Sequence, residues 1–301
     1  MKQTTLKKGF TIDGIGLHTG QRITMTVHPA FADSGICFRR SDVASDYTRV
    51  SPYTVTSTML ATTIKCGEQS ISTIEHIMSA LYGMGVDNAM IEVSGPEVPI
   101  LDGSAKPFIP MIAGSGIKEL GKPRKYLKFN KKIRLEKDGK WIEIIPSRFF
   151  KVTFDIDFES GSIGQQRAFF QIDESTFASE IAGARTFGFK QEVESLWQMG
   201  LAKGGSLENA VVIDGDDILN PEGLRFKDEF VRHKVLDLIG DISLTGYRMF
   251  GHIRAYKSGH QINNLFARLI TESKDSYSII EVPDGRHPGL AQLELKPQGL
   301  V

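Results

Sequence analysis

The stretch DEFVRHKVLDLIGD, residues 228–241, decides how this chain is read. Its apolar residues recur at helical spacing and predict a helix from about Asp228 to Gly240. A second helix starts near residue 72, where Ile74, Ile77, Met78 and Leu81 keep the same period and Ser72 with Glu75 fits a capping box. Superposing His76 on His233 also aligns Leu81 with Leu238 and Gly83 with Gly240. In both places a strand and a Ser-Gly pair follow, Ser94-Gly95 and Ser258-Gly259. The order helix, strand, Ser-Gly twice over predicts a duplicated α+β unit, with strands and helices segregated into layers. Two helix-borne histidines then occupy equivalent places and can face each other across the interface, where ligand sites often lie.

Working outward, TLKKGFTI, the glycine-punctuated loop GIGLHTG (14–20) and RITMTVHP read as a β-hairpin. NAMIEVS (88–94) is strand-like, and the loop ILDGSAKPF leads to a short helix before Gly114. Residues 114–125, GSGIKELGKPRK, are rich in Gly, Lys and Pro and read as a linker, which divides the chain into domains at 1–120 and 126–301. Beyond it IRLEK, KWIEIIP, KVTFDIDF and QRAFFQI alternate as strands, followed by a helical stretch Lys190 to Leu201 and the strand AVVID.

The composition narrows the function classes. A chain of 301 residues with 41% hydrophobic and 24% charged residues is an ordinary globular composition, so wholesale disorder is excluded. Lys plus Arg equals Asp plus Glu, 36 each, so no global basic field gathers nucleic acid or anionic lipid. Two cysteines, Cys37 and Cys66, make neither a disulfide framework nor a thiolate metal site, which fits a reducing compartment. MKQTTLKKGFTIDG has no apolar core of an export signal, and no stretch approaches eighteen uninterrupted apolar residues. The expectation is a cytoplasmic protein without an integral membrane segment and without a nucleic-acid partner. No feature of the sequence assigns an oligomeric state.

Chemistry concentrates in four places. His233, Asp237 and Asp241 stand at successive i, i+4 steps and share one helix face. His233 and Asp237 are roughly 6 Å apart at the backbone, a span that suits two ligands of one ion, or else a charged stripe facing solvent. Thr73-Ile74-Glu75-His76 puts a Glu-His pair into an otherwise apolar segment; one can bind metal while the other acts as general base, or Glu75 completes the capping box beside a hydrogen-bonded His76. His260 opens the helix after AYKSGH, where the helix terminus and a nearby cation both lower an imidazole pKa. A protonated acid role there needs an anionic partner, for which Asp241 is the candidate; a plain capping role is the alternative. Thr186, in ARTFGF, is a hydroxyl amid aromatics, or simply a satisfied strand threonine.

At these residues the chain resembles the zinc-dependent UDP-3-O-acyl-N-acetylglucosamine deacetylases of lipid A biosynthesis. The resemblance rests on GIGLHTG (14–20), STIEH (72–76), PILDGSAKPF (99–108), ARTFGF (184–189), GGS (204–206), LRFKDEFVRHKVLDLIGD (224–241) and AYKSGH (255–260). It implies an α+β fold of two similar domains, each a layered sandwich of sheet and helices with a small insert. The second insert, about 190–215, shapes a passage for the acyl chain. It implies Zn²⁺ held by His76, His233 and Asp237, with Glu75 as general base and His260 as general acid supported by Asp241. Thr186 would hydrogen-bond the developing oxyanion, Phe187 would pack on the sugar, and Lys234 and Lys257 would contact sugar and diphosphate. His18 lies in the loop that approaches the substrate, an acylated UDP-amino sugar. The compartment implied is the cytoplasm of a Gram-negative-type bacterium, and 301 residues leave no room for a fused dehydratase. The tail after about Lys274 carries no motif of the family. Three rivals share the residues: an amidohydrolase for another acylated amino sugar, a structural metal site in a lipid-binding or assembly protein, and a 2-His-1-carboxylate Fe(II) oxygenase. No oxygenase cosubstrate motif stands beside the last.

Overall fold

The computed structural model describes residues 1–283; the expected end of the second domain and most of the motif-free tail lie outside the described residues. The first half runs β1 (Lys2–Leu6), β2 (Phe10–Ile15), β3 (Arg22–Pro29), β4 (Ile36–Arg40) and β5 (Thr48–Arg49). A small sheet of β6 (Val55–Ser57), β7 (Thr63–Cys66) and β8 (Gln69–Ile71) precedes α1 (Glu75–Gly83), β9 (Ala89–Val93), α2 (Phe108–Ser115) and β10 (Ile117–Pro123). The second half begins with β11 (Lys125–Phe129), β12 (Ile133–Lys137), β13 (Lys140–Ile145), β14 (Phe150–Asp157) and β15 (Gln165–Gln171). Its excursion holds the short α3 (Glu174–Thr176), a π-helical turn (Phe177–Ile181), β16 (Phe187–Phe189), α4 (Lys190–Gln198), β17 (Val211–Asp214) and β18 (Asp217–Ile218). The half closes with α5 (Glu229–Ser243), β19 (Arg248–Tyr256), α6 (His260–Glu272) and β20 (Tyr277–Glu281).

The pairing repeats as the element order does. One sheet runs β2-β3-β9-β4-β5 and the other contains β12-β13-β19-β14-β15. In each, the central strand is antiparallel to one neighbour (β3, β13) and parallel to the other (β4, β14). β1 pairs antiparallel with β10 as β11 does with β20. β11 runs parallel to the start of β19, and β1 reaches the start of β9 through one parallel bridge, Thr5 to Asn88. In β9 alternate residues Ala89, Ile91 and Val93 are buried, the period-2 signature of a strand with one face on the core. α1 is buried at all nine positions because α5 covers the side its own layer leaves open, which explains its apolar circumference. Gly85 ends α1 in the left-handed region, with the Val86 N–H reaching back to the Leu81 carbonyl. α5 and α6 pack on the second sheet and α2 on β2, and one continuous apolar cluster runs through both halves.

Four local expectations are corrected. The stretch 114–125 is no linker: Gly116 turns the chain and Ile117–Pro123 becomes β10, whose exposed residues satisfy the backbone groups of β1. The opening TLKKGFTI is not one strand, since β1 leaves for β10 and only Phe10 onward pairs with β3. The capping box at α1 does not form: Ser72 Oγ accepts from Thr63, and the Glu75 carboxylate turns to the Thr62 N–H. α5 runs to Ser243 because Gly240 marks a close approach rather than a stop. Among the described residues no helix is long and apolar enough to cross a membrane.

Candidate active site

The centre forms where α1 meets α5. A Cβ on Gly240 would lie 2.2 Å from the Glu75 carbonyl oxygen, so only glycine lets the first turn of α1 sit against α5. That approach brings His76 to His233 and Asp237, which the i, i+4 spacing had already placed on one face. His76 Nε2 is 3.6 Å and His233 Nε2 3.3 Å from Asp237 Oδ1, and the two rings meet edge to face at 5.1 Å. One donor atom from each residue lies within 4.8 Å of the others, and all three residues are buried. His233 Nδ1 lies 3.1 Å from the Ala184 carbonyl oxygen; a carbonyl only accepts, so the proton sits on Nδ1 and the Nε2 lone pair faces the centre. Burial pushes the His233 pKa down to about 3, which keeps it a neutral donor. Burial opposes the charge of Asp237, yet the Lys234 ammonium and the imidazole N–H groups around it hold its carboxyl well below the usual range. Lys234 Nζ donates to Oδ2 at 3.0 Å, while the buried Oδ1 has no hydrogen-bond partner among the described residues. A buried carboxylate oxygen left bare between two imidazole nitrogens fits a metal ion, and two neutral imidazoles with a carboxylate are a donor set that suits a divalent cation.

Beside the centre stand a second carboxylate and a third histidine. Glu75 Oε2 accepts from the Thr62 N–H at 3.0 Å, and Oε1 lies 3.8 Å from His260 Nε2. Burial raises the Glu75 pKa. His260, first residue of α6, is 2.9 Å from Asp241 Oδ2 through Nδ1. Burial disfavours its charge, but Asp241 and Glu75 overcome this and raise its pKa to about 9, as the expectation of an anionic partner required. Asp241 is itself fixed by Asn263 Nδ2 at 2.9 Å and Thr62 Oγ1 at 2.5 Å. Thr62 and Asn263 carried no sequence signal, because neither lies on the helix faces whose spacing marked the others.

The remaining candidates divide. His18, Thr186, Phe187 and Lys234 line the same cavity of about 160 Å³ as Glu75, His76, His233 and Asp237. Thr186 is held by main-chain bonds from its N–H to Gly103 and from Val211 to its carbonyl. Phe187 packs edge to face on Phe230 (4.9 Å) and lies 6.2 Å from the His233 ring. The His18 ring is buried, with both nitrogens lacking partners among the described residues, and burial lowers its pKa. Lys257 lies apart: it pairs with Asp157 at 2.8 Å and lines a neighbouring hollow with Lys234 and Phe158. Glu97 escaped the sequence reading. It is wholly buried and accepts from the N–H groups of His18 and Thr19 and from the hydroxyls of Thr19 and Thr73, tying the GIGLHTG loop to the segment before α1. Gly204 and Lys203 of the second excursion donate to Leu17 and His18, so that excursion seats on the same loop. Leu60, Thr73, Leu101 and Lys257 hold left-handed backbone around the site, strain of roughly 1–3 kcal/mol each that the surrounding bonds must offset.

Comparison with known proteins covers most of the described chain. The family model for UDP-3-O-acyl N-acetylglycosamine deacetylase matches residues 3–272. The chain is 49% identical over 280 residues to the UDP-3-O-acyl-N-acetylglucosamine deacetylase of Citrifermentans bemidjiense, covering 93% of this chain and 92% of that one. It is 50% identical over 283 residues to the Syntrophotalea carbinolica enzyme of the same name, covering 93% and 91%. Against the Neisseria meningitidis serogroup C enzyme, again of that name, identity is 43% over 290 residues and 94% of each chain.

Proposed function

The chain belongs to the UDP-3-O-acyl N-acetylglycosamine deacetylase family, and we propose that it hydrolyses the N-acetyl group of UDP-3-O-acyl-N-acetylglucosamine, releasing acetate and the free amine for lipid A biosynthesis. The observation that carries the chemistry is Asp237 Oδ1, bare and buried between the Nε2 atoms of His76 and His233, with Glu75 and His260 alongside. His76, His233 and Asp237 would hold Zn²⁺, whose three protein ligands leave a position open. When bound, zinc supplies a Lewis acid that polarises the amide carbonyl and makes water easier to deprotonate.

The chain's own residues supply the rest. Glu75, made more basic by burial, takes the proton of the attacking water. His260, kept protonated by Asp241, donates to the developing oxyanion together with the Thr186 hydroxyl, and a proton then passes to the departing amine. Phe187 offers its ring to the sugar, and Lys234 and Lys257 bring positive charge toward sugar and diphosphate. His18, whose ring nitrogens have no partner among the described residues, contacts substrate from the GIGLHTG loop. The excursion around 190–215 holds exposed Trp197, Met199 and Leu207, which supports its role as the wall of an acyl passage. The repeated strand order supports two domains, divided after β10 at Pro123 rather than at residue 120, with the second starting at β11 (Lys125), and the two free thiols of Cys37 and Cys66 support a cytoplasmic setting.

The test is acetate release from the acylated UDP-amino sugar by purified protein, before and after dialysis against a chelator and again after one equivalent of Zn²⁺. Activity that leaves with the metal and returns with zinc supports the reading. Activity unaffected by complete removal of metal, or absent in the zinc-loaded protein, overturns it.

A further inference from the structure

We propose that the seam between the two halves carries a second binding site, for a phosphate dianion, in a cavity of about 270 Å³ that shares no lining residue with the catalytic cavity. Four cations line it, Arg49, Arg124, Lys125 and Arg248, against two carboxylates, Asp33 and Asp87. Asp87 is divided between two guanidinium groups, with Arg124 Nε at 2.7 Å and Arg248 Nε at 3.2 Å. Asp33 is already engaged by Lys122 and Gln3, and Arg49 bonds only its main-chain oxygen, at 3.2 Å. The lining groups alone, four cations against two carboxylates, leave an excess of two positive charges, and Lys122 at Asp33 adds a third, enough to draw a phosphate dianion.

One donor of this wall is unsatisfied, and a shift of its side chain would bring it to an anion in the cavity. Arg248 lies over the Tyr82 ring at 4.6 Å, and its Nη2 is buried with no hydrogen-bond partner among the described residues. A buried guanidinium nitrogen without an acceptor is costly, and phosphate oxygens match the guanidinium fork better than water does. The volume lies just under the roughly 300–1,000 Å³ of drug-sized ligand sites, so the occupant is inorganic phosphate or a small phosphate monoester, not a nucleotide sugar. The cavity is floored by Met78, Leu81 and Ser243, so an occupant joins the later parts of α1 and α5, the two helices that carry the catalytic centre.

Isothermal titration of the zinc-loaded full chain with inorganic phosphate and with glycerol phosphate tests this. Saturable binding of either ligand is expected, and the tighter of the two identifies the source. Arg49→Gln and Arg248→Gln should each weaken it by roughly tenfold or more, as loss of a charged hydrogen bond requires, with turnover of the deacetylation unchanged. Arg49 is exposed, so its variant folds even where Arg248→Gln does not. No saturable heat with either ligand overturns the proposal. Binding that survives the arginine changes but weakens in Lys257→Gln also overturns it, by locating the anion beside the catalytic cavity.

Discussion

The two halves share a frame and differ in charge. Set α1 on α5 through His76 and His233, and Ala80 and Met84 of the first half stand where the second carries Asp237 and Asp241. Glu75 of the first half faces the centre, while Arg232 at the matching position of the second points away to Asp228 and Glu180. Buried charges are costly unless each has a partner, so a symmetric pair of sites would double the expense without doubling the chemistry. The duplication instead lends each half a part: one candidate ligand and the candidate base from the first, two candidate ligands, the candidate acid and its carboxylate from the second. Neither half holds a complete centre, which ties the chemistry to the seam.

The sharpest way to break this comparison is Asp237→Ala, which gives the second helix the first helix's residue. Metal affinity should fall by more than the roughly 10- to 100-fold seen on removing the partners of ligands, and acetate release should fall to background. Metal analysis after gel filtration checks it; a variant that keeps stoichiometric metal would show that Asp237 is no ligand. Glu75→Ala comes next. It should cut kcat by roughly 10²- to 10⁴-fold with KM and metal content near wild type, and an unchanged kcat would remove Glu75 from the role of base.

Gly83 and Gly240, aligned by the duplication, sharpen the comparison because their reasons differ. At Gly240 a Cβ meets the backbone of Glu75, which cannot yield unless α1 and α5 part. At Gly83 it meets the ring of Phe177, 2.2 Å away, in the π-helical turn, and a ring can shift. Both alanine variants should lose stability by about 1–3 kcal/mol in denaturant unfolding, Gly240→Ala the more. Only Gly240→Ala should also lose metal affinity and rate. Equal kinetic damage from both would mean that α1 position alone does not govern the centre.

The same alignment shows what sequence could tell. Period 3.6 around residues 76 and 233 fixed both helices, and the i, i+4 steps fixed which side chains share a face, because those patterns are local. β10 was misread because its residues are exposed on both sides of the strand and its Gly and Pro imitate a linker; only the unpaired edge of β1, over a hundred residues away, makes it a strand. Glu97 and Thr62 were missed for a related reason. Each acts on a segment distant in sequence, His18 and Asp241, through contacts that no short pattern records.

Asp241→Asn has the smallest expected effect and tests the half-to-half difference at the position where the first helix carries Met84. Its amide can keep the local bonds: the carbonyl faces His260 Nδ1 and Asn263, and the NH₂ faces Thr62, whose hydroxyl turns from donor to acceptor. What is lost is the charge. The proposed acid role needs His260 protonated; it holds its proton up to about 9 only because Asp241 and Glu75 outweigh burial, and a cation held by His76, His233 and Asp237 would draw that value down. Activity therefore falls as pH rises through this pKa, and removing the carboxylate moves the basic limb of kcat/KM to lower pH by roughly 1–3 units. The acid limb, set by deprotonation of the base, should stay within experimental error, so the variant loses far more activity at pH 8.5 than at pH 6. A basic limb that does not move would assign it to another group and leave His260 a neutral hydrogen-bond donor, with Asp241 serving its position alone.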